Sequence, residues 1–284
     1  FFFIILIFLL VSRIFLYIVS LFLLSFNLKA DPKDRDSLWT IWNDITKPDT
    51  QRLEAIYKIS WLPYVFSKPD SAFILAEMQK QLAIRTGQKK WEANALNTQG
   101  VSYHIRGNIK EALKYYNMSY DIKKATGDKK GMAISYNNFG IIHGQLGDFS
   151  KSIEAYNKAL VIEKDLNNDR GIARSYNNIG LIYHQLIDIN KALEYYQIAL
   201  DILIRINDHY GIAEANKNLG DAHNDLLNFT KALEYHQIAI KTFKDINHLN
   251  GLGQTYNSIS QTYKNHKDLN KALIYSKKAL NIFL

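Results

Sequence analysis

YNNFGIIHGQLGDFSKSIEAYNKALVIEKD at residues 136–165 and YNNIGLIYHQLIDINKALEYYQIALDILIR at residues 176–205 are two copies of one pattern, 40 residues apart. Outward from this pair, Gly100, Gly140, Gly180 and Gly220 keep the same step, and Ser260 continues it. Self-similarity at a fixed period is the signature of a repeat array, in which each copy is one supersecondary unit that buries its apolar face only against its neighbours. Other columns run in phase: Val101, Ile141 and Leu181; Tyr103, His143, Tyr183, His223 and Tyr263; Ala112, Ser152, Ala192, Ala232 and Ala272. Then come Tyr116, Tyr156, Tyr196 and His236, followed by Ser119, Ala159, Ala199, Ala239 and Ala279. A second glycine column stands at Gly131, Gly171, Gly211 and Gly251.

Each column has a packing reason. Antiparallel helices approach closely only where side chains are small, so the Gly100 and Ala112 columns mark contact between a first helix A and a second helix B. The Ala159 column is expected to touch the next copy, and the aromatics fill the remaining volume. Ala192, Leu193, Tyr196, Ala199, Leu200 and Leu203 recur at three and four, the apolar stripe of an amphipathic helix. Gly147, Asp148, Phe149 and Ser150 make the turn between helices A and B, and residues 167–171 end one copy and begin the next. The fold class expected is all-α.

The columns Tyr136, Phe139, Gly140, His143, Ser152, Tyr156, Ala159 and Tyr176, Ile179, Gly180, Tyr183, Ala192, Tyr196, Ala199 resemble the tetratricopeptide repeat family. The resemblance covers residues 91–284 clearly and residues 51–90 through Leu53, Ile56, Ser60, Ala72 and Leu82. It implies a right-handed superhelical solenoid of helix-turn-helix hairpins. The period of 40 departs from the usual unit of about 34 and is similar to the longer-helix branch found in kinesin light chains. The usual proline at the repeat end is replaced, as at Lys164. Copies are expected at 51–90, 91–130, 131–170, 171–210, 211–250 and 251–284. The last stops within helix B with no polar capping helix, so the natural chain is expected to continue.

In that family helix A lines a concave groove that holds protein or peptide ligands. Carried over position by position, three residues before the glycine column stand Asn97, Asn137, Asn177, Lys217 and Asn257. A side-chain amide offers a donor and an acceptor, so such a row could clamp an extended backbone, or each amide could bond a neighbouring helix. The adjacent Asn138, Asn178 and Asn218 are read as packing residues. Six before the column stand Asn94, Ile134, Arg174, Glu214 and Gln254; four after it stand His104, Gly144, His184, Asn224 and Lys264. These vary between copies, as residues that select ligand side chains would. The ligand-contact set is therefore Asn97, Asn137, Asn177, Lys217, Asn257, Arg174, His184 and Lys264.

Composition narrows the alternatives. Of 284 residues 47% are hydrophobic and 22% charged, which suits a folded chain rather than a disordered one. The net charge of +8 comes from lysines scattered among acids such as Glu154, Glu194 and Glu234, which argues against a nucleic-acid footprint. Cysteine is absent, which removes thiolate chemistry. His143 and His223 fill a tyrosine column, and His104 and His184 lie two copies apart, so no metal site and no cofactor is expected. No phosphate-loop, nucleophile-elbow or zinc-hydrolase motif occurs, so catalysis is not expected of this segment.

Residues 1–26 are apolar apart from Ser12, Arg13, Ser20 and Ser25. Two readings fit residues 1–30: a cleaved signal peptide with Arg13 as its charged region and Ala30 near the cleavage site, or a retained membrane anchor. Either puts the chain at the cell envelope, exported or anchored, with membrane association through this segment. Residues 31–50 read as a linker with a short helix that begins at an Asp36 or Ser37 cap and lays Trp39 and Trp42 on the first copy. The leader, this tryptophan stretch, residues 49–53 and residues 69–72 resemble the front of bacterial repeat proteins that end in a nucleotide cyclase or histidine kinase. That implies a sensing or docking module whose output domain follows; the alternative is a scaffold or adaptor for envelope assembly or secretion.

Overall fold

The computed structural model describes residues 32–283, and every regular element among them is helical. The apolar leader, and with it the anchor or signal-peptide reading, lies outside the described residues. Among those described, no helix is long and apolar enough to cross a membrane.

Helix α1 (Pro32–Asn43) begins earlier than the sequence suggests, so Asp36 and Ser37 sit within it and not at its cap. Helix α2 (Asp49–Ile59) passes through a π-helical turn (Ser60–Tyr64) into the loop before α3 (Pro69–Arg85). Leu38, Trp39 and Trp42 pack against buried Ile56, Ile59 and Leu75, and the Arg52 guanidinium lies 5.4 Å from the Trp42 ring. Leu53, Ile56, Ser60, Ala72 and Leu82, the residues that carry the weak first copy, are all buried.

From α3 onward the chain is metronomic. Helices α4 (Lys89–Ile105), α5 (Ile109–Ala125), α6 (Lys129–Gln145), α7 (Phe149–Asp165), α8 (Asp169–Gln185) and α9 (Ile189–Arg205) each have 17 residues. So do α10 (His209–Asp225), α11 (Phe229–Asp245) and α12 (Leu249–Asn265), before α13 (Leu269–Phe283). The described residues fall into two compact units that meet between Ala155 and Tyr156.

From α3 onward each connection reverses the chain through one residue at positive φ, which frees the next amide to bond a carbonyl five residues back, as Asp188 N does to Tyr183 O at 2.9 Å. On the B-to-A side that residue is Gly87, Gly127, Asn167, Asn207 or Asn247, the types that tolerate this conformation. On the A-to-B side it is Gly107 and Gly147 in the first unit, but Ile187 (φ 62°), Leu227 (φ 58°) and Lys267 (φ 65°) in the second. A β-branched side chain there is strained by about 1–2 kcal/mol. Ile187→Gly is therefore expected to raise stability by about 1 kcal/mol in urea unfolding; a loss of stability would contradict the strain.

The glycine columns perform two different contacts. A Cβ at Gly100 would lie 2.6 Å from the Tyr116 ring, and one at Gly180 would lie 2.8 Å from the Tyr196 ring. This is the closest approach of helix A to helix B, as the sequence suggests. The second column takes the end of the preceding helix B: Glu163 covers Gly171, Leu203 covers Gly211 and Phe243 covers Gly251. Ser119, in the column expected to face the next copy, donates from Oγ to Ala93 O of its own helix A at 2.7 Å, whereas Ala199 of the same column shares a core cluster with Ala215 and Leu219 of the next copy. Glu163, Leu203 and Phe243, four residues further along, add to the contact between copies. In the second unit Ala173, Ala192, Tyr196, Ala199, Leu203 and Leu219 form one core cluster.

Over Gly131 this covering place is shared by Asp128 and Lys123, the latter with its ammonium 3.1 Å from Ser135 Oγ. Burial pulls its pKa from 10.5 down to about 8, with Asp128 pulling the other way. Between those values the unfolded chain binds the proton more tightly than the folded one, so this group's contribution to stability rises with pH through the window. Wild type is expected to gain on Lys123→Met by up to about 1.4 kcal/mol per pH unit between pH 8 and 10. Parallel pH dependence of the two proteins in thermal melts would contradict the buried ammonium.

Candidate functional site

The A helices position the eight candidate residues unequally. Asn97, Asn137, Asn177 and Lys217 are 7%, 4%, 4% and 1% exposed, whereas Asn257 and Lys264 are open to solvent and Arg174 and His184 are half-buried. The four accessible positions all lie in the second unit, on α8 and α12.

The amide row is built into the packing. Asn138 Nδ2 donates to Asn97 Oδ1 at 2.8 Å, and Asn218 Nδ2 donates to Asn177 Oδ1 at 3.0 Å. Asn137 Nδ2 donates to Ala133 O, one turn back in its own helix, at 3.0 Å. In the fourth copy the amide is replaced by Lys217, whose Nζ lies 3.2 Å from Glu214 Oε2 inside the same helix, with both side chains buried. Asn97 and Asn177 thus bond the next A helix, while Asn137 and Lys217 bond within their own.

A second row of rungs joins the ends of successive A helices. His104 Nε2 stands 2.7 Å from Gln145 Oε1, and His184 Nε2 stands 2.7 Å from Asp225 Oδ2. Asn265 Nδ2 donates to Asn224 Oδ1 at 3.3 Å. All five rungs, 97 to 138, 177 to 218, 104 to 145, 184 to 225 and 224 to 265, span 41 residues. Parallel A helices are thus offset by one residue beyond the period. A search of the sequence for polar pairs at period plus one would have found the partners Gln145, Asp225 and Asn265.

Tyr196 Oη lies 3.4 Å from His184 Nδ1, which completes a Tyr196–His184–Asp225 line. The same line in the first unit reads Tyr116–His104–Gln145, with 3.5 Å at the tyrosine, and burial lowers the His104 pKa. Because an uncharged amide serves equally well at the end of the line, its common role is to tie three helices together. His223, in the tyrosine column, stacks on Tyr235 at 5.4 Å just as Tyr183 stacks on Tyr195 at 5.3 Å. Among the described residues no three His, Asp or Glu side chains gather as a metal would need.

Arg174 reaches back from α8 to the end of α7, with Nη2 3.2 Å from Glu163 Oε1. Arg170 on the same helix meets Asp208 at 2.7 Å. Arg174 is thus anchored at a buried carboxylate and still reaches solvent, whereas Lys264 lies fully on the surface.

Comparison with known proteins agrees with this architecture. Residues 91–165 and 171–245 match a family model for the tetratricopeptide repeat, and residues 253–283 match a second model of the same repeat. No curated protein matches the sequence. Among solved structures, the apo form of RapI is similar with TM-score 0.68 at 13% identity, over 96% of this chain and 97% of that one. A Rap protein complexed with Competence and Sporulation Factor gives 0.64 at 15%, over 90% and 81%. BtubC (BKLC) from P. vanneervenii gives 0.63 at 19%, over 76% and 91%. At these identities the likeness concerns the fold.

Proposed function

Since the chain belongs to the tetratricopeptide repeat family, we propose that it binds an extended protein segment along the A helices of its second unit. The observation that carries this reading is the contrast between copies. Asn97, Asn177 and the buried ends of the rows are locked into rungs, whereas Asn257 and Lys264 are exposed. Arg174 and His184, each held at one end by Glu163 or Asp225, stay half-exposed, so the groups offered outward are polar or cationic and differ from copy to copy. Such a surface selects side chains, while the rungs beneath keep it preorganised. Asn177 and Lys217 act in this reading as the wall that holds the contact residues in place. The Rap protein solved with Competence and Sporulation Factor supports the reading as a protein of similar fold with a bound factor.

The module is further proposed to be the sensing or docking part of an envelope signal-transduction protein, on the strength of the apolar residues 1–26 and the tryptophan stretch that follows. Reporter fusions after Thr50 test the location: activity of an export-dependent reporter is expected, and activity of a cytoplasmic one would exclude the exported reading. For binding, a displayed random-peptide library selected on the full chain is expected to yield ligands whose affinity falls at least about tenfold with Lys264→Glu plus Asn257→Ala. The same ligands should be indifferent to Lys241→Glu, on the exposed side of α11. Equal losses from both variants would contradict the A-helix assignment.

A further inference from the structure

The A-to-B turns of the second unit break a rule that every B-to-A turn obeys. At the positive-φ position, where the first unit keeps Gly107 and Gly147, stand Ile187 and Leu227, 83% and 78% exposed. Leu186 and Leu226, one residue earlier, are also exposed. A large aliphatic side chain at this position strains the backbone and covers nothing in the fold, so neither local conformation nor core packing explains it. The turns lie side by side: His184 at the end of α8 bonds Asp225 at the end of α10, and the Phe229 ring stacks 3.9 Å from His266 in the following turn. Lysines frame the tips. Lys191, Lys231 and Lys271 follow each turn by the same interval, all exposed, and Lys267 takes the positive-φ position of the third. Lys191 and Lys271 each have an aspartate within 3.2 Å, at Asp188 and Asp268, whereas the middle turn carries Asn228 in place of that acid.

We propose that this edge is a lipid-contacting surface that dips Leu186, Ile187, Leu226 and Leu227 into the headgroup boundary of an anionic bilayer. Protruding aliphatic tips ringed by lysine suit an interface where the side chains enter the acyl boundary and the ammonium groups stay among phosphates. Tight protein interfaces favour tryptophan, tyrosine and arginine at their centres and are poor in lysine, the reverse of this patch. The proposal is independent of what the A helices bind and adds a second membrane contact to any made by residues 1–26.

The test exploits the absence of cysteine. The full chain carrying Leu227→Cys is labelled with a polarity-sensitive fluorophore and mixed with phosphatidylcholine vesicles bearing nitroxide-labelled acyl chains, with and without phosphatidylglycerol. Asn247→Cys, also at positive φ but on the opposite edge, is the control. Quenching at 227 that requires phosphatidylglycerol, with the control unquenched, is the expected result. A Leu226→Cys reporter should lose its quenching at least about threefold when Ile187→Gly and Leu227→Gly are added. Those two changes restore the residue used in the sibling turns and leave folding intact. Absence of quenching at 227, equal quenching at both edges, or quenching indifferent to phosphatidylglycerol would overturn the proposal. So would a blue shift of the label before vesicles are added, which would assign the edge to a second copy of the chain.

Discussion

Gly180→Leu is expected to destabilise the second unit by about 3 kcal/mol or more, enough to bring urea unfolding into a range where the wild type is still native. The reason is positional. A Cβ at 180 would already stand 2.8 Å from two carbons of the Tyr196 ring and 3.3 Å from the Ala192 carbonyl oxygen. Tyr196 is fully buried and its hydroxyl is held near His184, so the ring cannot swing aside without giving up its own contacts. Any larger residue at 180 must push α8 away from α9, and that gap would propagate into the cluster containing Ala192, Ala199 and Leu219. Gly147→Ala is the matched control, because a Cβ at 147 meets nothing within 4 Å and the cost there comes only from φ 77°. Equal effects at the two positions would remove the close-approach argument.

Lys217→Met is the second large effect, expected at about 3–5 kcal/mol. It leaves the Glu214 carboxylate, 2% exposed, without the ammonium that stands 3.2 Å away. Tyr210 on the same helix supplies no charge, and its own pKa is driven up chiefly by burial and then by Glu214 and Asp208. The sharper expectation concerns the pair. Lys217→Met combined with Glu214→Met should recover most of the loss, because two unbranched apolar side chains of similar length carry no desolvation penalty. A double variant as unstable as the sum of the singles would mean that the charges are bound into contacts beyond one another.

How much of this was legible in the sequence depends on whether a residue's partner lies at a fixed offset within its own copy. Gly100 and Tyr116, Gly180 and Tyr196, and Gly220 and His236 all repeat an offset of 16, so the columns announce the contact. The second glycine column repeats as faithfully, but the residues that cover it are Lys123, Glu163, Leu203 and Phe243. No single chemistry marks that column, and two of its members read as surface charges. Their role appears only once α5 is seen to cross Gly131 and α7 to cross Gly171. The asparagine row was visible as a row, and its two possible uses could not be separated, because the partner of Asn177 is Asn218, one copy and one residue away. That extra residue follows from the register between parallel A helices, which is a tertiary quantity. The early start of α1 is a smaller example: the Trp39 and Trp42 stripe located the helix, while its first turn has no apolar residue in phase.

The candidate site shares this split. Sequence pattern located the A-helix rows, but burial divides them, leaving Arg174, His184, Asn257 and Lys264 at the surface and placing the amides beneath. The strained turn residues Ile187 and Leu227 could have been suspected from sequence, since they interrupt a glycine column at 107 and 147. Their positive φ turns that suspicion into a conformational cost with no return inside the fold.

The nesting of hairpins on small residues is tested most directly by a double-mutant cycle between Gly180→Leu and Tyr196→Ala, read as unfolding free energies of the full chain. If the two side chains occupy one space, shrinking the ring should make room for the leucine, and the double variant should be at least about 2 kcal/mol more stable than the sum of the single losses. Additivity within about 0.5 kcal/mol would show that residues 180 and 196 do not meet, and would contradict the packing on which the repeat architecture rests.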